Sequence, residues 1–386
     1  MTPPTVPRTR LRELGLLFFR LGATAFGGPA AHIAMMRDEV VSRRHWLEEG
    51  EFLDLLGATN LIPGPNSTEM AIHIGWARRR WAGLCVAGVA FIVPAMLITA
   101  AFGVAYVRWG TLPAFGWLSY GVKPVIIAVV VQAIVGLLPK AAKTPRLRLL
   151  GAAATLLAAA RVNELLLLFA AGGAAVALGR RPAEREPSTA AFSPLLVPLV
   201  PAFAGGAASA VTLPALFWVF LKTGSVLFGS GYVLLAFLRT DLVERLRWLT
   251  EAQLIDAIAV GQVTPGPVFT TATFIGYVLH GPNGALVATV GIFLPAFVFV
   301  ALSGPLVPRL RASPVAGAFL DGVNVASLGL MLAVTLELAR AALIDVPTLL
   351  LAATAAGLLF RFELNSTWLI LGGAGIGYAL HALGAA

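Results

Sequence analysis

The chain has 386 residues, and only 12% of them are charged, against roughly 25% in an average soluble domain. Apolar residues make up 58%, and a mean hydropathy of +0.85 is more than one globular core of this length can hide from water. The net charge of +9 does not mark a nucleic-acid surface, because the arginines lie in short loops between apolar runs and form no basic face.

Taken from the start, TPPTVPRTRLRELGLLFFRLG carries Arg20 inside its first apolar stretch and no small-residue cleavage site behind it, so it is expected to belong to the mature fold. Uncharged runs at 81–107, 192–221 and 281–308 each reach the roughly 20 residues that span a bilayer. An all-α polytopic membrane protein is therefore expected. In the first half, two segments broken by Gly and Pro (11–40 and 50–77) precede spans near 81–107, 112–139, 147–160 and 163–179. Cys85, the only cysteine, excludes a disulfide or thiolate cluster within the chain and is expected to be a small buried hydrophobe. The polar stretch Arg180–Ser188 reads as a linker, and a lone apolar helix near 192–211 follows it.

Residues beyond 211 repeat the beginning. At an offset of 202, Phe18, Arg20, Gly22, Phe26, Gly27, Arg37, Arg43, Trp46 and Asp54 match Phe220, Lys222, Gly224, Phe228, Gly229, Arg239, Arg245, Trp248 and Asp256. The tripeptide Pro63, Gly64, Pro65 matches Pro265, Gly266, Pro267, and after a one-residue slip Pro94 matches Pro295. The expected organisation is a first repeat half (1–179), a cytoplasmic linker with one connecting helix (180–211) and a second half (212–386). Cationic loops set orientation. Arg78, Arg79 and Arg80 face Leu279, His280 and Gly281, and Arg8, Arg10 and Arg12 have no basic counterparts, whereas Arg309 and Arg311 outnumber Arg108. This pattern predicts an inverted-topology repeat of two six-segment halves with broken or re-entrant helices, about thirteen segments in all and a cytoplasmic N-terminus.

The polar density lies at the breaks. ATNLIPGPNSTEMAIHIGW (58–76) and AVGQVTPGPVFTTATFIGY (259–277) each carry two prolines that remove backbone donors, so a helix should stop near Asn60 and another begin near Pro65. A helix beginning inside the membrane favours an anion, which makes Asn60, Gly64, Asn66, Ser67 and Thr68 candidates, with Gln262, Thr264, Gly266 and Thr270 opposite. The earlier break FGGP, with Gly27 and Gly28, is answered by FGSG, with Gly229 and Ser230. Arg20 and Lys222, six residues before those breaks, are expensive in a bilayer and are expected to help neutralise a doubly charged oxyanion. Asp54 and Asp256, each nine residues before its PGP, are candidates to pair with these cations or to couple protons, with a surface-facing structural carboxylate as the alternative, and Lys123 joins them as a weaker candidate. The Arg37, Asp38, Glu39 and Arg239, Asp241 runs, followed by Trp46 and Trp248, read as interfacial anchors.

FGGP, PGPNST and their copies FGSG and TPGP, in this order along nearly the whole chain, resemble the chromate ion transporter family in its long, two-domain form. The resemblance implies a secondary transporter of chromate, with sulfate as a similar anion, commonly conferring chromate resistance by export across the cell's inner (plasma) membrane. It implies no cofactor and no partner beyond the oxyanion and membrane lipid; a homodimer is compatible with it. Gly231 in place of Pro29, and Val268 and Phe269 in place of Asn66 and Ser67, predict an asymmetric site. An enzyme is not expected, since no HExxH, GxSxG or Cys/His cluster occurs. An anion channel, or a transporter of another small anion, shares these features.

Overall fold

The computed structural model describes residues 9–25, 28–59, 62–110, 113–179, 210–227, 234–303, 313–362, 364 and 366–382. Every regular element among them is helical. The linker and connecting helix expected at 180–211 lie almost wholly outside the described residues, as do Gly27, Asn60, Gly229 and Ser230 and the side chain of Asp54.

Chain order runs α1 (Leu11–Thr24), α2 (Gly28–Arg37) with a π-helical turn at Asp38–Arg43, α3 (Glu49–Thr59), α4 (Asn66–Trp109), α5 (Pro113–Ala141), α6 (Pro145–Ala159) and α7 (Glu164–Gly179). The second half gives α8 (Leu213–Val226), α9 (Leu234–Leu238) with a π-helical turn at Arg239–Arg245, α10 (Glu251–Val263), a 3₁₀ turn at Val268–Thr270, and α11 (Thr271–Ser303). Then follow α12 (Pro314–Ala342), α13 (Val346–Phe362) and α14 (Ser366–Ala382). Asn66–Trp109, Gly116–Pro139, Val268–Ser303 and Gly317–Ala342 are long and apolar enough to cross a membrane, and Glu164–Leu178, Leu213–Val226, Val346–Phe362 and Trp368–Ala382 are shorter apolar helices. On α11, Leu286, Val290, Leu294, Val298 and Leu302 recur every fourth residue and are all exposed, the stripe a helix turns to lipid. The protein is an all-helical, polytopic membrane protein. Cys85 lies on such an outward face of α4 between exposed Trp81 and Val89; it is exposed, contrary to the sequence expectation, because helical periodicity turns it away from the bundle.

Helices α4 and α11 are hairpins. The backbone leaves helical geometry at Arg79 and Arg80 (φ 51° at Arg80) and again at His280 and Gly281 (φ 61° at Gly281). Gly75 then meets the carbonyl of Gly83, and Gly276 that of Gly284, so closely that a Cβ at either position would lie within 2.3 Å of that oxygen. The second arm of α4 runs across both arms of α11. Gly88 faces Phe297 and Leu84 shares an apolar cluster with Ala296 and Val300, while farther along Gly103 faces Tyr277 and the Tyr106 ring meets Phe274 at 5.1 Å. One kink therefore lies at each end of the crossed pair.

The broken segments also turn back. Arg44, after the first π-helical turn, reaches Glu13 near the start of α1 at 2.9 Å. Arg78, ending the first arm of α4, donates to Thr9 Oγ1 (2.8 Å) and to the carbonyl of Trp46 (2.7 Å), just before α3. Segments 11–43 and 49–78 thus each end beside the place where they begin.

The later helices are exchanged between the halves. Helix α5 packs on α13 and α14, and α12 packs on α6 and α7. Gly121 lies against Gly373 and Gly377, and Gly322 against Ala171 and Ala175. The first half closes one core of its own, around Phe18, Phe52, Met70 and Phe91, but the later helices of each half are covered by those of the other.

Candidate functional site

The two PGP breaks bring the halves together. Helix α3 stops at Thr59 and α4 starts at Asn66, and α10 stops at Val263 ahead of the 3₁₀ turn, because each proline pair withholds two N–H donors. In between, Gly64 adopts φ 141° and Gly266 φ 86°, a region open to glycine and strained for other residues. This conformation frees the glycine amides to point outward. Gly64 N–H donates to Leu227 O at 2.7 Å, and Gly266 N–H donates to Ala25 O at 2.9 Å. Leu227 and Ala25 are the extended caps that end α8 and α1, so each half's break is bonded to the other half's first helix. His32 Nε2 lies 3.0 Å from the same Ala25 carbonyl and must donate to it, while its ring stands edge-on to Phe91.

Polar side chains are concentrated around these bonds. Ser67, Thr68, Glu69 and His73 from α4, and Gln262, Thr264, Thr270, Thr271 and Thr273 from the second half, are all buried. Thr99, on the second arm of α4, lies 3.3 Å from Thr270 Oγ1. Thr264 and Thr270 donate back to Val260 O and Pro267 O, both at 2.9 Å. Asn66 begins α4 but does not cap it through its side chain; Pro65 is the N-cap.

Arg20 and Lys222 occupy equivalent places, each on a carboxylate. Arg20 contacts Glu39 at 2.5 Å, and Lys222 contacts Asp241 at 2.8 Å; Arg43 and Arg245 repeat the symmetry on the same two acids. The pairs differ in exposure. Arg20 is 53% exposed, in a cleft of about 360 Å³ with Thr24, Asp38, Glu39 and Arg43, whereas Lys222 and Asp241 are 11% and 3% exposed. The partners are thus the π-turn acids that the sequence reads as interfacial anchors. Asp256 instead lies 4.0 Å from Lys123 and accepts from Tyr106 at 3.0 Å. A third repeated pair, Arg37–Glu49 and Arg239–Glu251, ties each π turn to the helix after it, both at 2.7 Å. The hydrogen bond from Arg37 holds the Glu49 carboxyl below the usual range, and that from Tyr120 does the same for Asp345 in the loop before α13.

Glu69 is the residue that sequence reasoning missed. It is fully buried, and neither carboxylate oxygen has a hydrogen-bond partner among the described residues. Its signal was available: an acid four residues after a proline break, inside an apolar segment.

The chromate transporter family matches residues 12–177 and, a second time, residues 214–378. The chain belongs to the chromate transporter family. Chromate transporters of this kind are transport proteins and not enzymes. The chromate transport protein of Cupriavidus metallidurans is 34% identical over 98% of this chain and 95% of its own length. That of Pseudomonas aeruginosa is 32% identical over 94% and 89%, and the probable chromate transport protein of Synechococcus elongatus 32% over 89% and 88%. No solved structure matches the chain.

Proposed function

We propose that this chromate transporter carries chromate itself, with sulfate as the structurally similar second substrate, by alternating access around the two PGP breaks. The observation that carries the reading is their reciprocal bonding, Gly64 to Leu227 and Gly266 to Ala25. A site shared by two halves, each fastened to the other's first helix, changes on both sides at once when the halves rock. Family membership and the names of the relatives supply the ion.

In this reading the oxyanion lies between the starts of α4 and α11. Asn60, Gly64, Asn66, Ser67 and Thr68 approach it from one side, and Gln262, Thr264, Gly266 and Thr270 from the other. Gly27, Gly28, Gly229 and Ser230 supply backbone at the earlier breaks. Arg20 and Lys222 move from Glu39 and Asp241 to the anion during the cycle, while Asp54, Asp256 and Lys123 set the charge around it. A helix terminus contributes up to about 2 kcal/mol to an anion, so the two cations are needed for a dianion.

The halves are oppositely oriented in the membrane, a reading supported by the two kinks at opposite ends of the crossed α4–α11 pair and by the arginine bias. The N-terminus and Arg78–Arg80 are cytoplasmic, and segments 11–43 and 49–78 re-enter on that side. Crossings are therefore fewer than thirteen. Transport runs outward across the plasma membrane and confers resistance.

Counterflow in proteoliposomes tests the function. Unlabelled chromate trapped inside should accelerate uptake of radiolabelled chromate at zero potential, and sulfate should compete. Uptake without acceleration would indicate a channel.

A further inference from the structure

Glu69 lies in the first turn of α4 and leans over the break: a Cβ on Gly64 would come within 2.2 Å of its Oε1. Nearby acids are paired, Glu13 with Arg44, Glu39 with Arg20 and Arg44, and Glu49 with Arg37, whereas Glu69 is enclosed with no cation or donor on it among the described residues. The second half carries Thr271 in its place, with the hydroxyl bonded to Val268 O at 2.8 Å. The carboxylate is therefore found at one of the two breaks only.

We infer that Glu69 is the proton carrier of the transport cycle, taking up one proton when the anion occupies the breaks and releasing it when the anion leaves. This rests on the transport reading above. An ionised carboxylate and an oxyanion at the same helix start exclude each other, whereas the neutral acid tolerates the anion and can donate its O–H to it. The proton enters from the aqueous side the site faces, stays on the carboxyl oxygen through the conformational change, and leaves to the opposite side with the anion. One proton and one dianion then move together, carrying one net negative charge. At equal pH on the two sides, an interior-negative potential of about 100 mV would hold a roughly fiftyfold outward chromate ratio. The coupling is thus co-transport, driven outward by the potential, rather than exchange for an incoming proton.

Few other titratable groups face this segment. His73 lies one turn on along α4, and α2 contributes His32. Helix α1 offers Glu13 and Arg20, and α8 offers Lys222, all ion-paired, with Arg12 of α1 exposed; α3 offers Glu49, paired, with Glu51. Helix α10 offers Glu251, on Arg239, and Asp256, beside Lys123, and α11 offers Tyr277, against Gly103, and His280 at its turn. The second arm of α4 has no charged residue between 81 and 107.

Calorimetry on the full-length protein in detergent, with chromate as ligand and in two buffers of different ionisation enthalpy, counts the protons taken up on binding. The wild type should take up one more proton than Glu69→Gln above the titration of Glu69, where its affinity should fall about tenfold per pH unit. Chromate also takes up a proton near neutral pH, but that contribution is common to both proteins. Glu69→Gln should retain counterflow and lose accumulation driven by an imposed pH gradient, and His73→Asn should behave as wild type. As a second readout, a carbodiimide that attacks protonated buried carboxyls should modify Glu69 in the wild type, and chromate should change the rate; this decides the matter if Glu69→Gln does not fold. Equal proton uptake by the two proteins, loss of the proton in His73→Asn, dependence on Na⁺ instead of pH, or an unmodified Glu69 would each overturn the assignment. Absence of counterflow in the wild type would overturn the transport reading, and this one with it.

Discussion

Gly64 and Gly266 are equivalent residues with the same backbone task and different surroundings. Alanine at either position carries the strain of a positive φ, about 1 to 3 kcal/mol. At Gly266 the new methyl would also meet Ala95 Cβ at 2.5 Å and the Gly22 carbonyl at 2.8 Å, both fixed by helices, whereas at Gly64 it meets the movable end of Glu69. Gly266→Ala should therefore lower the melting temperature in detergent more than Gly64→Ala, and Gly64→Ala should show its main effect on chromate affinity by displacing Glu69. The ion pairs give a second contrast. Breaking a buried pair by removing one partner costs about 3 to 5 kcal/mol, while an exposed pair is worth about 1 or less. Lys222→Gln should therefore destabilise the protein strongly, and Lys222→Gln with Asp241→Asn should recover most of the loss. Arg20→Gln should leave the melting temperature nearly unchanged, so a loss of transport in that variant would report on the anion and not on folding.

At the scale of elements, the breaks were legible and their direction was not. Two prolines per break remove donors whatever the tertiary context, so the expected stop near Asn60 and restart near Pro65 correspond to α3 ending at Thr59 and α4 starting at Asn66. Hydropathy measures the length of a segment and says nothing of whether it crosses or returns; the return proposed above rests on Arg44 lying on Glu13 and Arg78 on Trp46. The partners of Arg20 and Lys222 were hidden for a related reason. Glu39 and Asp241 lie 19 residues away, beyond a break of unknown angle, in runs that read as interfacial. Cysteines placed at Arg79 and near Trp46 should be labelled by an impermeant maleimide from one side of the membrane, and a cysteine at His280 from the other. Labelling of Trp46 and Arg79 from opposite sides would mean that segment 49–78 crosses.

For the molecule as a whole, the exchanged packing has a consequence that duplication alone does not carry. A tandem repeat whose halves close separately could be divided, and each part would keep its core. Here α5 is covered by α13 and α14, and α12 by α6 and α7, so a half on its own leaves its long helix facing lipid with small residues, such as Gly121 and Gly322, suited to touching another backbone. The breaks add to this, since Gly64 and Gly266 each lose an acceptor when the other half is absent. Two fragments divided within 180–209 should therefore be degraded when expressed singly and recovered as a chromate-binding complex when expressed together. The same contact can be weakened from inside. A Cβ at Gly121 would sit 1.9 Å from the Gly373 carbonyl, and overpacking of this kind costs about 1 to 3 kcal/mol. In the divided protein that cost falls on association, so Gly121→Ala should weaken fragment affinity by roughly five- to 150-fold, measured by co-purification over a dilution series. In the intact chain the same substitution should lower the melting temperature only modestly, because the linker keeps the halves together. A Gly121→Ala complex as tight as the unsubstituted one would show that the halves are held mainly at the breaks.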